Sequence, residues 1–549
     1  MKTPQLLNYA RDQWVPGEAA SLSEIASAID GSPVARTGSG GLDFAAMLAH
    51  ARTVGGPALR KMTFHERARM IKGLGLAVLA RKEELYELNY LTGATRKDGW
   101  IDIEGGAGTM LSFSSKGRRE LPDAHVLLDG AVEPLSKSGS FIGQHVYTSL
   151  QGVAVHINAF NFPVWGMLEK LAPTLLAGMP AIVKPASATA YLCEAAVRVM
   201  IDTGLLPPGA LQLIVGGVGD LFDHLGGQDV VSFTGSASTA LKLRSHPRVQ
   251  RESVRFVAEQ DSLNASLLGP DAAPGTPEFD LFVKEVVNEM TVKAGQKCTA
   301  IRRAMAPAEH LDAVEAAIRY RLAATKVGDP RDKDSRMGAL VSLGQRDDVR
   351  SQIAKLTASG ARIVAGNPDA APGVAGGAFM EPILLRTDDP WSASAVHDVE
   401  AFGPVSTVMP YTDMADAVAL ANRGMGSLAL SLFTYSPEHA SDFIQGAAAF
   451  HGRMLVLNRD NGAESTGHGS PLPVLVHGGP GRAGGSEEMG GIRGVKHYMQ
   501  RTAIQSTPAM IAAISQQYIP GGPKRFVDGM RSEERRVGKE CRSRWSPYH

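Results

Sequence analysis

Between Gly152 and Leu268, short apolar runs alternate with stretches of helical periodicity, and this alternation constrains the fold more than any other feature of the chain. The pattern predicts strands at 153–158, 181–184, 211–215, 230–234, 255–258 and 265–268, with helices at 164–177, 191–203, 218–226 and 236–244. Strands joined through helices pair in parallel, so the expected fold class is α/β with a doubly wound sheet. Such sheets take ligands at the carboxyl ends of their strands. From Pro270 to about Ala503 the alternation recurs, with strands at 300–306 and 454–458 and helices at 310–323, 346–358 and 413–422. At 549 residues the chain exceeds one ordinary core, and two or three domains are expected.

Upstream of this region, residues up to about Pro122 alternate helical patterns with Gly-rich breaks: residues 62–81 open on a Thr-x-x-Glu capping box at Thr63 and Glu66, helix continues over 82–91, and Thr95-Arg-Lys-Asp makes another break. Over 125–150 the period changes to that of two strands joined by a polar turn, whose edges need a cover such as a partner subunit. Residues after Ala503 are candidates for a strand added to that hairpin. Charge is balanced at zero, which gives no reason to expect nucleic acid or an anionic membrane as partner. Three cysteines without metal spacing exclude a disulfide framework and a metal site, and no signal peptide or membrane span is legible. The expected compartment is cytoplasmic. From Ser532 onward, five basic residues and Cys541 sit in a stretch without periodicity, read as a non-native or disordered tail over 531–549.

Chemistry-bearing residues cluster at predicted strand ends. Asn161, after Phe160, is either a donor to a developing oxyanion or a helix cap. Lys184 closes an apolar strand, where it reaches a ribose or phosphate or is an ordinary surface lysine. Gly235 and Ser236 open a helix with small residues suited to an anion. Glu259 ends a strand as a base or as a paired surface carboxylate. A helix over 277–293 stops at Gly295 and leaves Gln296-Lys297-Cys298 as a loop on a rigid support. Lys293 and Lys297 lie close enough in sequence to favour a Cys298 thiolate. The segment 462–494 holds eleven glycines in 33 residues, a composition of a long functional loop or linker rather than an element interior.

The ordered set Asn161-Phe-Pro, Val183-Lys-Pro-Ala, Phe233-Thr-Gly-Ser, Glu259, Gly295-Gln-Lys-Cys298 and Glu400-x-Phe-Gly-Pro resembles the aldehyde dehydrogenase superfamily from roughly residue 40 to 519. Within it, Leu455-Val-Leu-Asn, Thr466-Gly-His-Gly-Ser-Pro, His477-Gly-Gly-Pro-Gly-Arg and Lys496-His-Tyr-Met-Gln are similar to the members that oxidise ring-opened semialdehyde CoA thioesters in aerobic phenylacetate and benzoyl-CoA degradation. The resemblance implies a Rossmann-type cofactor domain (1–124 and 149–260), an α/β catalytic domain (261–494) and an oligomerisation arm (125–148 and 495–519) of a homodimer or tetramer. It also implies roles. Cys298 attacks the aldehyde, Asn161 and the Cys298 N–H hold the oxyanion, and Glu259 activates the hydrolytic water. Lys184 binds the adenosine ribose, Glu400 the nicotinamide ribose, and Phe402 packs near the nicotinamide. Phe160, Gly235 and Ser236 join them in the cofactor site, and Lys170 lies near the catalytic centre.

Two departures from the superfamily pattern matter. Ser187 stands where NAD-preferring members carry Glu, which favours NADP over NAD because no carboxylate repels a 2′-phosphate. Ala240 replaces a glycine of the phosphate-binding turn. The implied substrate is a CoA-linked semialdehyde, with 3,4-dehydroadipyl-CoA semialdehyde expected. About 30 residues follow Tyr518, too few for a second catalytic domain, which points to the benzoyl-CoA branch. Alternatives are a CoA-acylating or broad-specificity dehydrogenase, a Cys/Glu esterase and a non-enzymatic scaffold. Arg482, Arg493 and Lys496 are either contacts for CoA phosphates or solvated surface charge.

Overall fold

A computed structural model describes residues 3–523, so the tail at 531–549 lies outside the described residues. Seven strands form a first sheet in the order Arg255–Glu259, Val230–Thr234, Ala154–Ile157, Ala181–Lys184, Leu211–Leu213, Leu7–Ala10 and Gln13–Pro16. The first five run parallel, and Leu7–Ala10 is antiparallel to both its neighbours. Val155, Ile182, Val183, Val230 and Val231 are wholly buried, as strands covered on both faces require. Numbered along the chain, the five parallel strands lie fifth, fourth, first, second, third. Winding therefore reverses between Ala154–Ile157 and Val230–Thr234, and a crevice opens at their carboxyl ends.

The helix Pro163–Ala177 follows the first of these strands, with Pro163 at its start and Gly178 in the left-handed region at its end. Thirteen of its fifteen residues are buried, so its polar members Glu169 and Lys170 are interior groups that need partners. A second sheet orders Arg362–Ala365, Ile383–Arg386, Val405–Tyr411, Arg303–Pro307, Ala265–Leu268, Ser427–Phe433 and His451–Leu457. All of its pairs are parallel except the outermost, Arg362–Ala365 on Ile383–Arg386. Five residues, 260–264, carry the chain from the carboxyl end of the first sheet to the amino end of the second. The cleft lies along that passage.

A third sheet orders Met499–Ser506, Ile142–Ser149 and Leu127–Pro134, all antiparallel. The returning strand expected after Ala503 thus begins at Met499. Leu135, Phe141, Met510 and Tyr518 are exposed on or beside this arm. No helix among the described residues is long and apolar enough to cross a membrane.

The structure departs from the sequence reading in four places. Residues 218–226 make only one 3-10 turn, Leu221–His224; Gly219 within the expected helix disfavours it by about 1 kcal/mol. The break expected over 95–98 falls earlier, at 91–95 between the helices Lys82–Tyr90 and Arg96–Gly99, and Thr95 caps the second, with Asp98 answering as the third residue of a capping box. The chain before residue 40 holds four strands rather than helical pattern. The segment 462–494 contains a hairpin, Val476–Gly479 on Ser486–Met489, and a helix, Ile492–Lys496. Gly478, Gly479, Gly481, Gly484 and Gly485 belong to that hairpin. A Cβ on Gly484 (φ +117) would lie 1.9 Å from the Ala258 carbonyl oxygen, so the hairpin can seat itself on the first sheet only without a side chain there.

Candidate active site

The thiol is placed by a distorted turn. The helix Pro277–Thr291 buries Phe282, Val286 and Met290, and after it Lys293 (φ 53) and Ala294 (φ 51) both adopt the left-handed conformation. Two consecutive non-glycine residues there cost ~1–2 kcal/mol each. Opposing that cost, the Lys293 N–H donates to Asp98 at 2.8 Å and Gln296 Nε2 donates to the Lys293 carbonyl at 3.0 Å. Asn264 Nδ2 donates to the Cys298 carbonyl at 2.8 Å, and the Arg302 guanidinium donates to the Gly295 and Lys297 carbonyls. Gly295 is required here, since a Cβ would meet the Gly403 oxygen at 2.1 Å. Cys298 is left half-buried at the tip.

Glu259 faces it. The Cys298 sulfur, a Glu259 carboxylate oxygen and a ring nitrogen of His477 lie within 4.8 Å of one another. His477 Nε2 is 2.9 Å from Glu259 Oε2 and 4.0 Å from Cys298 Sγ. Burial opposes ionisation of Glu259, but His477 and then Lys170 hold its carboxyl well below the usual range. Burial likewise opposes the His477 cation, yet Glu259 raises the imidazole above its ordinary value. The thiol goes the other way: burial, then the Glu259 carboxylate, push it well above its ordinary value. Behind these groups Lys170 Nζ lies 3.0 Å from Glu169 and 3.1 Å from Glu488, and Ser232 Oγ donates to Glu488 at 3.0 Å. Burial alone would lower Lys170, but Glu169 and Glu488 raise it above the ordinary lysine range.

The crevice predicted by the strand order is a groove of about 580 Å³. It is lined by Phe160, Asn161, Lys184, Gly235, Ser236, Glu259, Cys298, Glu400 and Phe402, which brings ten of the eleven candidate site residues to the cleft once Lys170 behind it is included. Phe160 and Phe402 close its inner end edge-to-face, with centroids 5.8 Å apart. Glu400 accepts from the Ser262 N–H at 3.0 Å and lies 3.4 Å from Arg302 Nε; burial raises its carboxyl to about 7 despite Arg302. Burial lowers Lys184. The groove suits a nucleotide on its own evidence, because both side-chain polar atoms of the buried Asn158 on its wall lack a hydrogen-bond partner among the described residues. Ser187 is the exception: it lines a neighbouring cavity of about 460 Å³ with Glu24, Thr37 and Ser342.

Several expectations need correction. Neither lysine flanking the cysteine bonds the sulfur, although the Lys297 charge still favours the thiolate as expected. Lys293 Nζ donates to Thr92 at 2.7 Å and Lys297 Nζ to Glu289 at 2.6 Å, since each buried charge takes the nearest acceptor. Arg482 donates to the His397 and Asp398 carbonyls, Arg493 pairs with Glu487 and Lys496 with Asp129, so all three cations are engaged within the chain. Sequence reasoning quoted His477 in a motif without giving it a role, and missed Glu488. Both sit on the hairpin inside the glycine-rich segment, directly opposite each other, where glycines leave no alternating pattern that could have marked a strand.

The chain is similar to known proteins along most of its length. The model of the aldehyde dehydrogenase family matches residues 14–504. The chain is 45% identical over 482 residues to 3,4-dehydroadipyl-CoA semialdehyde dehydrogenase of Aromatoleum evansii, covering 87% of this chain and 93% of that protein. It is 56% identical over 185 residues to Protein MaoC of Klebsiella aerogenes, 34% of this chain and 55% of that one. Among solved structures, lactaldehyde dehydrogenase of Escherichia coli is similar with a TM-score of 0.80 at 21% identity, covering 92% of this chain and 99% of its own. Betaine aldehyde dehydrogenase of Staphylococcus aureus, solved with NAD+, gives 0.79 at 22%, covering 91% and 94%. At those identities the two structures establish the shared fold.

Proposed function

The chain belongs to the aldehyde dehydrogenase family, and from that premise we propose that it oxidises a CoA-linked semialdehyde, 3,4-dehydroadipyl-CoA semialdehyde, to the free acid with NADP as preferred acceptor. The observation that carries the reading is the approach of Cys298 and Glu259 to within 4.8 Å of each other at the wall of a nucleotide-sized groove. Identity of 45% to a dehydrogenase named for that substrate, over nearly the full length of both chains, supports the substrate.

In this reading Cys298 attacks the aldehyde carbon as thiolate, and the Asn161 amide donates to the resulting oxyanion, a contact typically worth about 3–4 kcal/mol. The oxidising power is that of the nicotinamide, a two-electron acceptor when bound. Lys184, Gly235, Ser236, Phe160, Glu400 and Phe402 would hold it. Glu259 then takes a proton from the water that hydrolyses the thioacyl-enzyme. The presence of that carboxylate beside the thiol favours hydrolysis over CoA-acylating transfer. We read residues 1–124 with 149–260 as the cofactor unit, 261–494 as the catalytic unit, and 125–148 with 495–519 as the arm of a cytoplasmic homodimer; the exposed Phe141 and Met510 support an apolar contact there.

One assay tests the whole. The CoA thioester semialdehyde and small free aldehydes are compared by kcat/KM with NADP and with NAD, and the product is identified with and without free CoA. A free acid formed independently of CoA, with the thioester preferred at least tenfold, is expected. A product that gains a second CoA, as a thioester at the former aldehyde carbon, when CoA is added overturns the hydrolytic reading.

A further inference from the structure

His477 has no place in the reaction just described, yet it is a wholly buried imidazole between the two groups that carry it. One ring nitrogen, Nε2, faces both Glu259 Oε2 at 2.9 Å and Cys298 Sγ at 4.0 Å. The hairpin register fixes this placement: His477 lies opposite Glu488, which is itself tied to Lys170 and Ser232. The Trp165 ring packs edge-on against the imidazole, with centroids 5.9 Å apart. Other charged groups face it from each neighbouring element. Glu169 and Lys170 lie on the helix Pro163–Ala177, Glu259 ends its strand, and Arg453 lies on the strand His451–Leu457.

We propose that His477 is a catalytic imidazolium shared by Cys298 and Glu259, and that it activates the thiol by changing which anion it pairs with. The proposal rests on the Cys298/Glu259 reading above and deepens it. At rest the cluster is thiol, imidazolium and carboxylate. When the S–H bond breaks and the proton passes to a Glu259 oxygen, the cluster becomes thiolate, imidazolium and carboxylic acid. Both arrangements hold the same protons and the same net charge, and in both the single cation touches the single anion. Little desolvation cost separates them, whereas the same transfer beside an uncharged residue would leave a buried anion unpaired. The resting carboxylate is thereby kept ionised although buried, and the thiolate it generates is paired as it forms.

The test reads the thiol directly. Alkylation of Cys298 by iodoacetamide is followed by peptide mass spectrometry from pH 5 to 9 in the wild type, His477→Gln and His477→Phe, with melting temperatures recorded for each. In the wild type the rate should be nearly flat with pH through neutrality, because the proton moves within the cluster. Both variants should fall at least tenfold at pH 7 and rise about tenfold per pH unit, as an isolated thiol does. A flat profile in a folded variant, with a rate within twofold of wild type, overturns the proposal; if one variant does not fold, the other decides. Inactivity toward the CoA semialdehyde with the alkylation profile intact would instead count against the substrate reading alone.

Discussion

The two banks of the cleft are built differently. On one bank Asn161, Gly235 and Glu259 follow or end strands of the parallel sheet, so a ladder of backbone hydrogen bonds aims them. On the other, Cys298 stands on a left-handed turn and His477 on a two-stranded hairpin, both held by side-chain bonds to carbonyls and by glycines that let backbones touch. The first bank is rigid because regular structure makes it so. The second is rigid only where special residues stand, so it should be the more easily disturbed by changes that carry no chemistry.

The largest expected effect lies on the strand-end bank. Glu259→Gln should reduce turnover ~10²–10⁴-fold, the range for loss of a general base, and leave a thioacyl adduct on Cys298 detectable by intact-mass spectrometry. Its melting temperature should stay near wild type if the ladder alone sets the geometry. A large drop in melting temperature would show that the chemistry also stabilises that bank, and the contrast would weaken.

Next comes the hairpin. Gly484→Ala drives a Cβ into the Ala258 carbonyl and forces a positive φ on alanine. A loss of roughly 2–3 kcal/mol in stability is expected, with activity reduced because His477 moves. Gly485→Ala also has positive φ (+72) but meets nothing within 4 Å, so it should lose only about 1 kcal/mol. Equal denaturation midpoints for the two variants would break the claim that close approach positions the hairpin.

A smaller effect concerns Asp102, whose Oδ1 accepts the Trp165 N–H at 2.7 Å at the start of the strand-end helix. Burial raises its carboxyl from 3.8 to about 7. Between those values the unfolded chain is ionised at this site while the folded chain keeps the proton, so stability falls as pH rises through that window and levels off above it. Asp102→Asn removes the titration. The variant should gain roughly 2–4 kcal/mol over wild type at pH 8 relative to pH 4, checked by urea midpoints across pH. The smallest effect expected is Ser187→Glu: Ser187 borders the cavity beside the groove rather than the groove itself, so kcat/KM should shift toward NAD by at most about tenfold, some 1.4 kcal/mol.

The difference between the banks is also a difference in legibility. Strands at Ala181–Lys184, Val230–Thr234 and Ala265–Leu268 fall where apolar periodicity places them, and Glu259 closes its strand one residue beyond the predicted end. Periodicity is local, so sequence displays it. The hairpin is invisible by the same criterion: Gly478, Gly479, Gly484 and Gly485 remove the side chains that would show a strand pattern, and their purpose lies in backbone contacts with residues far along the chain. Lys293, and in part Lys297, misled for a related reason. Adjacency in sequence says nothing about direction, and the left-handed kink aims both ammonium groups at other acceptors.

The hairpin's docking has a consequence for biosynthesis. Ser232 bonds to Glu488 across 256 residues of chain, and the Ala258 N–H to Ser486 across 228. Contacts of such separation form late, because the loop-closure entropy must be overcome before they contribute. A nascent polypeptide emerging from the ribosome could therefore complete its nucleotide crevice while its sulfur still lacked the imidazole beside it. Reactivity would be withheld until nearly the last element had docked.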